Sequence, residues 1–195
     1  AAQQLNRAGH EVTLFERDAK LGGLLRYGIP DFKLDKSVID RRLKIMEDEG
    51  ITFKPNTHVG DNYDVEELKA FDAVVLTGGA TQRRGLPIPG ADAKGVVQAM
   101  EFLKNNNQVV DNLKELSPEL SAEGKNVIVI GGGVIGVELG SVYARLGAKV
   151  SVVEFLDGLL PTLDKELGKT LQRSLKKLGF DFYFNTKVTG VKSTK

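Results

Sequence analysis

Short apolar runs alternate with amphipathic segments in the second part of this chain. β-Branched runs such as 127–130 have the composition of strands, and the segments between them carry apolar residues at a helical spacing. The pattern predicts, in order, strand 126–131, helix 134–147, strand 149–154, helix 164–178, strand 180–185 and strand 187–191. Because strands alternate with helices, we expect an α/β fold with a parallel sheet.

The helix predicted over 164–178 has a clear start and a clear apolar face. Asp164 is a suitable N-cap, since its carboxylate can accept hydrogen bonds from backbone N–H groups of the first turn. A stripe of leucines at helical spacing is predicted to pack into the core: Leu167, Leu171, Leu175 and Leu178.

The first part of the chain shows a similar but less regular pattern. A helix is expected to end at Gly9, and a strand follows over 11–16. The pattern then predicts a turn-rich stretch at 21–30, a helix at 35–49, a strand from 51, a short helix at 65–69 and a buried strand at 72–77 that runs into Gly78 and Gly79. A loop rich in Pro and Gly at 80–95, a helix at 96–107 and a polar connection at 104–125 lead to the second part.

The most informative stretch is the glycine turn that follows the first strand of the second part. Gly131 permits the tight turn, Gly133 lets a pyrophosphate approach the backbone, and Gly136 allows the helix to pack closely on the strand. Glu154 lies 18 residues past Gly136, where a carboxylate can accept both ribose hydroxyls of an adenosine. This order predicts a dinucleotide site, the alternative being a glycine-rich turn without a ligand. Because Glu154 would repel a 2′-phosphate and residues 155–157 hold no Arg, NAD is predicted and NADP is less favoured.

The same helix–strand–acid pattern occurs twice. Glu16 ends the strand at 11–16 in the way that Glu154 ends the strand at 149–154. The predicted fold class is therefore α/β, with two Rossmann-like, three-layer dinucleotide-binding domains that are both incomplete. The first would cover residues 1–116 with a connecting helix, and the second would cover 117–195 and be truncated at its C-terminal end.

Composition excludes several classes of function. The 195 residues are 41% hydrophobic and 27% charged with a net charge of +1, which argues against nucleic-acid binding driven by bulk charge. The absence of Cys excludes disulfides, thiolate catalysis and iron–sulfur ligation within this chain, and two His cannot form a His-rich metal site. With no apolar run near membrane-spanning length and no signal peptide, no membrane partner is expected. The expected location is the cytoplasm, and the mitochondrial matrix is the alternative.

A specific run in the first part of the chain is Gly-Gly-Leu-Leu-Arg-Tyr-Gly-Ile-Pro, which begins at Gly22. Together with segments 9–16, 21–34, 76–81, 86–90 and 95–103, it makes residues 1–116 resemble the small subunit of bacterial glutamate synthase and its relatives, which are two-dinucleotide-binding-domain flavoproteins. In such proteins this half binds FAD. The resemblance implies that Glu16 holds the adenosine ribose and that Val59 contacts the adenine. It further implies that the flavin side is lined by Gly22, Gly23, Leu25 and Arg26, and that Thr77 and Gly78 pack on the FAD.

The second part of the chain has a different set of matching segments, at 129–143, 145–148, 153–156 and 185–190. Through them residues 125–195 are similar to dihydrolipoamide dehydrogenase, a second member of the same flavoprotein class. In that family this domain binds NAD. The resemblance implies that Glu138 lies near the nicotinamide, that Glu154 takes the ribose, that Val188 lines the adenine, and that the pyrophosphate is held by Gly131, Gly133, Val134, Ile135 and Gly136.

Both resemblances imply part of an FAD-dependent oxidoreductase that passes hydride between NAD(P)H and flavin. The redox-active Cys pair and the His–Glu pair of lipoamide dehydrogenase are absent, so no side chain is assigned a catalytic role and no metal is expected. The partners would be NAD(P)H and either a larger subunit or the rest of the same chain. Two alternatives stay open: a non-catalytic nucleotide-binding module, and an engineered or incomplete chimera of the two families.

Overall fold

The structure is a computed structural model that describes residues 1–80, 85–115 and 117–192. Contacts along the backbone divide the chain into two compact units. The first unit comprises residues 1–82 with 107–113, and the second comprises 83–106 with 114–195. Both are built from α-helices and parallel strands, so the α/β fold class is confirmed.

The first unit contains a two-stranded parallel sheet and flanking helices. Strands β1 and β2 pair in register, with Leu14 opposite Phe53. Asp35 caps helix α3, because its carboxylate accepts a hydrogen bond from the Ser37 backbone N–H at 2.8 Å. The elements are α1 (Ala2–Arg7), β1 (Thr13–Phe15), α2 (Gly23–Tyr27), α3 (Lys36–Asp48), β2 (Thr52–Lys54) and a 3₁₀ helix (Val65–Ala70).

The predicted buried strand at 72–77 is wrong. Residues 73–80 form no strand, and Leu76 is 89% exposed. An apolar run becomes a buried strand only where neighbouring strands accept its backbone hydrogen bonds. In the described part of the first unit the strands are β1 and β2, and they pair with each other. The composition of the run therefore suits a strand, but no strand in the described part of this unit pairs with it.

The second unit contains a three-stranded parallel sheet in the order β3–β4–β5. Val129 lies opposite Val152, and Val152 lies opposite Phe182. Residues 99–106 of helix α4 (Ala99–Val110) also belong to this unit. Its further elements are β3 (Asn126–Ile130), α5 (Val134–Arg145), β4 (Lys149–Val153), α6 (Lys165–Lys177) and β5 (Asp181–Tyr183).

The core of the second unit lies between the sheet and its helices. The middle strand β4 supplies Val150 and Val152, which are 1% and 0% exposed. Phe102 of α4 packs against Tyr143 of α5 with ring centroids 4.3 Å apart. Helix α5 approaches the sheet closely at Gly140, where a Cβ would lie 2.9 Å from the Phe180 ring. The hydrophobic core therefore holds α5 directly against the strands whose carboxyl ends carry the candidate site.

Three further predictions differ from the structure. In α6 only Leu171 and Leu175 pack on the core, whereas Leu167 and Leu178 are 56% and 50% exposed because they lie at the two ends of the helix. The predicted strand at 187–191 is wrong, since the sheet ends at β5 and residues 184–192 pair with no strand. The predicted connecting helix is displaced by three residues and forms as α4.

In residues 1–80, 85–115 and 117–192, no helix combines the length and apolar character needed to cross a bilayer.

Candidate functional site

The glycine turn lies between β3 and α5, at the carboxyl end of the sheet. Gly131 has φ +108°, a conformation that side chains with a Cβ rarely adopt. A Cβ on Gly136 would lie 2.0 Å from the carbonyl oxygen of Gly131. The chain's own geometry therefore requires glycine at both positions, as the predicted turn demands.

Gly133 differs from these two glycines, because nothing in its own surroundings requires glycine. It is the N-cap of α5, and its φ of −71° and ψ of 176° are open to any residue. A Cβ built on it meets no described atom within 4 Å. A glycine without a conformational or packing reason is what a closely approaching ligand would demand.

The start of helix α5 presents backbone donors at this open face. In the part of the chain that the structure describes, no side chain caps this helix start. Val134 and Ile135, the first two residues of α5, are 52% and 65% exposed. Unpaired N–H groups and the positive end of the helix dipole together favour an anionic group here.

Glu154 follows β4 directly, and its side chain reaches the glycine turn. Its Oε2 accepts a hydrogen bond from the Gly132 N–H at 2.5 Å, and its Oε1 accepts one from the Leu156 N–H at 2.8 Å. The side chain is largely buried, with the residue 8% exposed. The structure thus brings together the turn and the acid that the spacing connects, and the contact of Glu154 with a ribose stays a prediction.

The other two residues predicted for this half lie on its flanks. Glu138 is half-buried on the second turn of α5, and Val188 is half-buried in the segment that follows β5. Their predicted contacts with the nicotinamide and the adenine also stay predictions.

In the first unit, Glu16 follows β1 as Glu154 follows β4. Its backbone N–H donates to the Lys54 carbonyl at 3.0 Å, and its carbonyl accepts from the Thr57 N–H at 2.8 Å. Its Oε1 accepts a hydrogen bond from the Asp18 N–H at 2.9 Å. The acid is therefore held at the carboxyl end of the two-stranded sheet, the position at which α/β folds bind nucleotides.

An aromatic cluster lies beside Glu16, and Val59 pairs with one of its members. Phe15 packs against Tyr63 with centroids 4.8 Å apart, and Phe71 meets Phe15 edge-on at 5.8 Å. Val59 forms an isolated parallel bridge with Tyr63. Two of the residues predicted for an adenosine thus lie at one end of the same small sheet.

The residues predicted for the flavin side, and the two predicted to pack on the FAD, differ in exposure. Gly22 and Gly23 have φ of +127° and +50° at the start of α2, and Leu25 is 53% exposed. Thr77 and Gly78 lie in the exposed segment that forms no strand. Arg26, by contrast, is fully buried.

The Arg26 side chain is engaged by the protein itself. Its Nε donates to the Leu21 carbonyl at 2.7 Å, its Nη1 to Asp111 Oδ2 at 3.0 Å, and its Nη2 to Asp40. Burial alone would lower the pKa of Arg26, but the hydrogen bonds to Asp40 and Asp111 outweigh burial, so the pKa lies above its ordinary value. The prediction that Arg26 lines the flavin is untested, and the structure adds an ion-pair role that no sequence motif indicated.

Asp111 is the counterpart of Arg26 in this cluster. Burial would raise the pKa of Asp111, but hydrogen bonds from Arg26 and Lys20 outweigh it, so the pKa lies below its ordinary value. The Lys20 Nζ lies 3.2 Å from Asp111 Oδ1. Because Asp111 is distant from Arg26 in sequence, only the fold could reveal this pairing.

Comparison with known proteins identifies the family. The family description "Pyridine nucleotide-disulphide oxidoreductase" matches residues 1–195. The chain belongs to this family. One description covers both predicted halves, which reconciles the two resemblances found in the sequence. Membership confirms an FAD-binding oxidoreductase class and a pyridine nucleotide as the second ligand of that class.

Curated relatives are glutamate synthase chains. The small chain of glutamate synthase [NADPH] from Mycobacterium tuberculosis (strain ATCC 25618 / H37Rv) is 53% identical over 161 residues, covering 80% of this chain and 33% of the relative. Glutamate synthase [NADH] from Schizosaccharomyces pombe is 52% identical, covering 76% of this chain and 7% of the relative. The small chain of glutamate synthase [NADPH] from Escherichia coli K12 is 34% identical, covering 100% of this chain and 43% of the relative. The chain thus spans about a third of the bacterial small chain that it matches at 53% identity.

Solved structures show the same fold. Mycobacterium tuberculosis FprA in complex with NADPH superposes with a TM-score of 0.73 at 21% identity, covering 99% of this chain and 58% of that protein. A pyridine nucleotide-disulfide family oxidoreductase from Enterococcus faecalis V583 superposes with a TM-score of 0.63 at 25% identity, covering 99% of this chain and 42% of that protein. The predicted Rossmann-like class is therefore confirmed.

Proposed function

We propose that this chain is the part of an FAD-dependent oxidoreductase that passes hydride between NAD(P)H and flavin, in a protein of the glutamate synthase small-chain type. The observation that carries the proposal is Gly133, a glycine that neither backbone conformation nor packing requires. A dinucleotide pyrophosphate lying against the turn would require it.

The second unit would bind the pyridine nucleotide. The pyrophosphate would rest on the backbone of 131–136, stabilised by the N–H groups and the dipole at the start of α5. The exposed Val134 and Ile135 would lie beside it, and Glu138 would lie toward the nicotinamide. No step assigned to these residues needs a general base, since they bind and orient a cofactor that carries the reaction.

The first unit would bind FAD, which supplies the hydride acceptor when bound. Glu16 would accept the ribose hydroxyls of the adenosine, and Val59 would contact the adenine. Gly22, Gly23 and Leu25 would face the flavin side, where the two glycines adopt positive φ values that side chains with a Cβ rarely adopt. This assignment rests on the resemblance and on the position of Glu16 at the carboxyl end of the sheet.

The choice between NADH and NADPH depends on two opposing observations. The acid at Glu154 and the absence of Arg at 155–157 favour NADH. The names of the bacterial relatives lean toward NADPH, whereas the S. pombe relative is named for NADH. Our prediction from the residues is NADH, and the ratio of the two dissociation constants tests it.

The relatives also suggest what surrounds this chain. This chain covers 33% of the M. tuberculosis small chain and 7% of the S. pombe protein, so both relatives are much longer than the chain itself. We propose that the electron acceptor lies in a larger subunit or elsewhere in the same polypeptide. The location that we propose, from the sequence alone, is the cytoplasm.

A non-catalytic nucleotide-binding module is the second candidate. It is favoured by the exposed segment that carries Thr77 and Gly78, residues that the resemblance packs on FAD. In this case the second unit would bind a dinucleotide while the first would hold no flavin.

One experiment separates the two candidates. The chain is incubated with FAD, freed of unbound flavin by gel filtration, and mixed anaerobically with NADH or NADPH. Retained yellow colour that bleaches faster than free FAD under the same conditions supports the oxidoreductase. Nucleotide binding by calorimetry without retained flavin supports the module. Absence of both flavin and nucleotide binding contradicts the proposed function.

A further inference from the structure

The middle glycine of the turn has both of its backbone polar groups engaged. The Gly132 N–H donates to Glu154 Oε2 at 2.5 Å, and the Gly132 carbonyl accepts a hydrogen bond from the Leu160 N–H at 2.9 Å. Both partners come from the segment that follows β4. The orientation of the turn is therefore determined from outside the turn itself.

Glu154 connects the turn to this segment through both of its carboxylate oxygens. While Oε2 holds Gly132, Oε1 accepts from the Leu156 N–H at 2.8 Å. The Glu154 backbone is fixed as well, because its N–H donates to the Tyr183 carbonyl and its carbonyl accepts from the Thr186 N–H. Hydrogen bonds to an ionised acceptor are stronger than neutral ones, and burial strengthens them further.

The segment 155–163, here called the clasp, is itself tightly placed. Leu159 and Leu160 are 5% and 8% exposed. Leu160 has φ +54°, a left-handed conformation that is unfavourable for leucine and persists only where the surroundings impose it. A Cβ on Gly168 would lie 2.5 Å from the Leu159 carbonyl, so α6 packs directly on the clasp.

We infer that Glu154 is the positioning residue of the glycine turn: its carboxylate holds Gly132 against the clasp and so sets the backbone that receives the pyrophosphate. The inference rests on the proposed function, because it concerns how the proposed nucleotide site is preorganised. It assigns Glu154 a role at the phosphate end that is separate from the contact with a ribose.

The corresponding acid of the first unit makes a similar local bond. Glu16 accepts from the N–H two residues later, that of Asp18, as Glu154 does from Leu156. A local bond of this kind therefore occurs at both strand ends, and the bond from Gly132 is a further contact of Glu154 with the glycine turn.

The test uses Glu154→Ala and Glu154→Gln, with Asp157→Asn as the matched control. Asp157 lies on the clasp, is well exposed and pairs with Lys165, so its substitution removes a nearby charge without touching the turn. In the ligand-free chain we expect Glu154→Ala to raise the exchange rates of the Gly132 and Leu156 amide protons by about tenfold or more. Glu154→Gln, which keeps one acceptor, should raise at least one of them, and the control should raise neither.

Binding of ADP and 2′,3′-dideoxy-ADP, measured by calorimetry, then separates the two roles of Glu154. A positioning role predicts that the variants weaken 2′,3′-dideoxy-ADP by about tenfold and ADP by at least as much, because a ribose contact would add to the loss only for ADP. If only ADP is weakened, or if Gly132 exchange is unchanged in both variants, the inference is overturned. If wild-type chain binds neither probe, the proposed function fails, while the exchange rates still decide whether Glu154 holds the turn.

Discussion

The carbonyl oxygen of Gly131 lies 2.0 Å from the position that a Cβ on Gly136 would occupy. No side chain can enter that space, so the first turn of α5 is pressed directly against the end of β3. Three residues earlier, Gly133 has open space where a Cβ would stand. The two glycines of one motif thus have different reasons to be glycine, and substitutions can separate them.

Gly136→Ala is expected to destabilise the chain by about 2 kcal/mol or more, because α5 must move away from β3 to admit the methyl group. The measurement is urea unfolding followed by circular dichroism. Gly85→Ala is the control, since that exposed glycine meets no atom within 4 Å and has no positive φ. Equal stability of the Gly136→Ala and Gly85→Ala chains would contradict the close approach.

Gly133→Ala is expected to reduce nucleotide affinity while leaving the stability of the chain nearly unchanged. Stability should change by no more than about 0.5 kcal/mol, as at surface positions free of special constraints. Affinity for NADH or NADPH should fall about tenfold or more, because the added methyl group would stand where the pyrophosphate approaches. Urea unfolding measures the stability of Gly133→Ala and of the control Gly85→Ala, and titration calorimetry measures their affinity for the nucleotide. Undiminished affinity in Gly133→Ala would remove the main support for the nucleotide site.

Features that depend on residues close together in sequence were predictable, and features that depend on distant residues were not. The glycine turn was predictable because its strand, turn and helix are adjacent in sequence, and Glu154 was predictable because the acid at the end of the next strand follows at a characteristic spacing. The segment at 72–77 was misjudged because strand formation depends on neighbours that composition does not reveal. The pairing of Arg26 with Asp111 was missed because it joins residues 85 positions apart and follows no motif.

The pairing of Arg26 with Asp111 predicts how the stability of the first unit depends on pH. The pKa of Asp111 is lower in the folded chain than its ordinary 3.8. Its pairing therefore stabilises the fold fully above that ordinary value, and this stabilisation is lost as the pH falls through the lower folded-state pKa. Urea unfolding across the acidic range should show stability decreasing with pH in wild-type chain.

Substitution of Asp111 tests the origin of that acid dependence. Asp111→Asn should destabilise the chain at neutral pH by about 3 kcal/mol, because Arg26 is left buried with a single carboxylate partner. It should also flatten the decrease at acidic pH. Asp61→Asn, at an exposed carboxylate beside His58, is the control and should change neither quantity. An acid profile that keeps its wild-type slope in Asp111→Asn would show that other carboxylates produce it.

The phenol of Tyr143 provides an alkaline counterpart in the second unit. Burial in the core raises the pKa of Tyr143 to about 12, from an ordinary value of 10.0. The neutral phenol is therefore favoured by folding, and its contribution to stability is complete below pH 10.0 and lost as the pH rises through about 12. Tyr143→Phe should keep the ring contact with Phe102 and remove the last step of the tyrosinate absorbance rise in an alkaline titration. Tyr183→Phe, at a 52% exposed tyrosine, is the control for the removal of one phenol. A titration in which Tyr143→Phe loses only an earlier step would contradict the burial of this phenol.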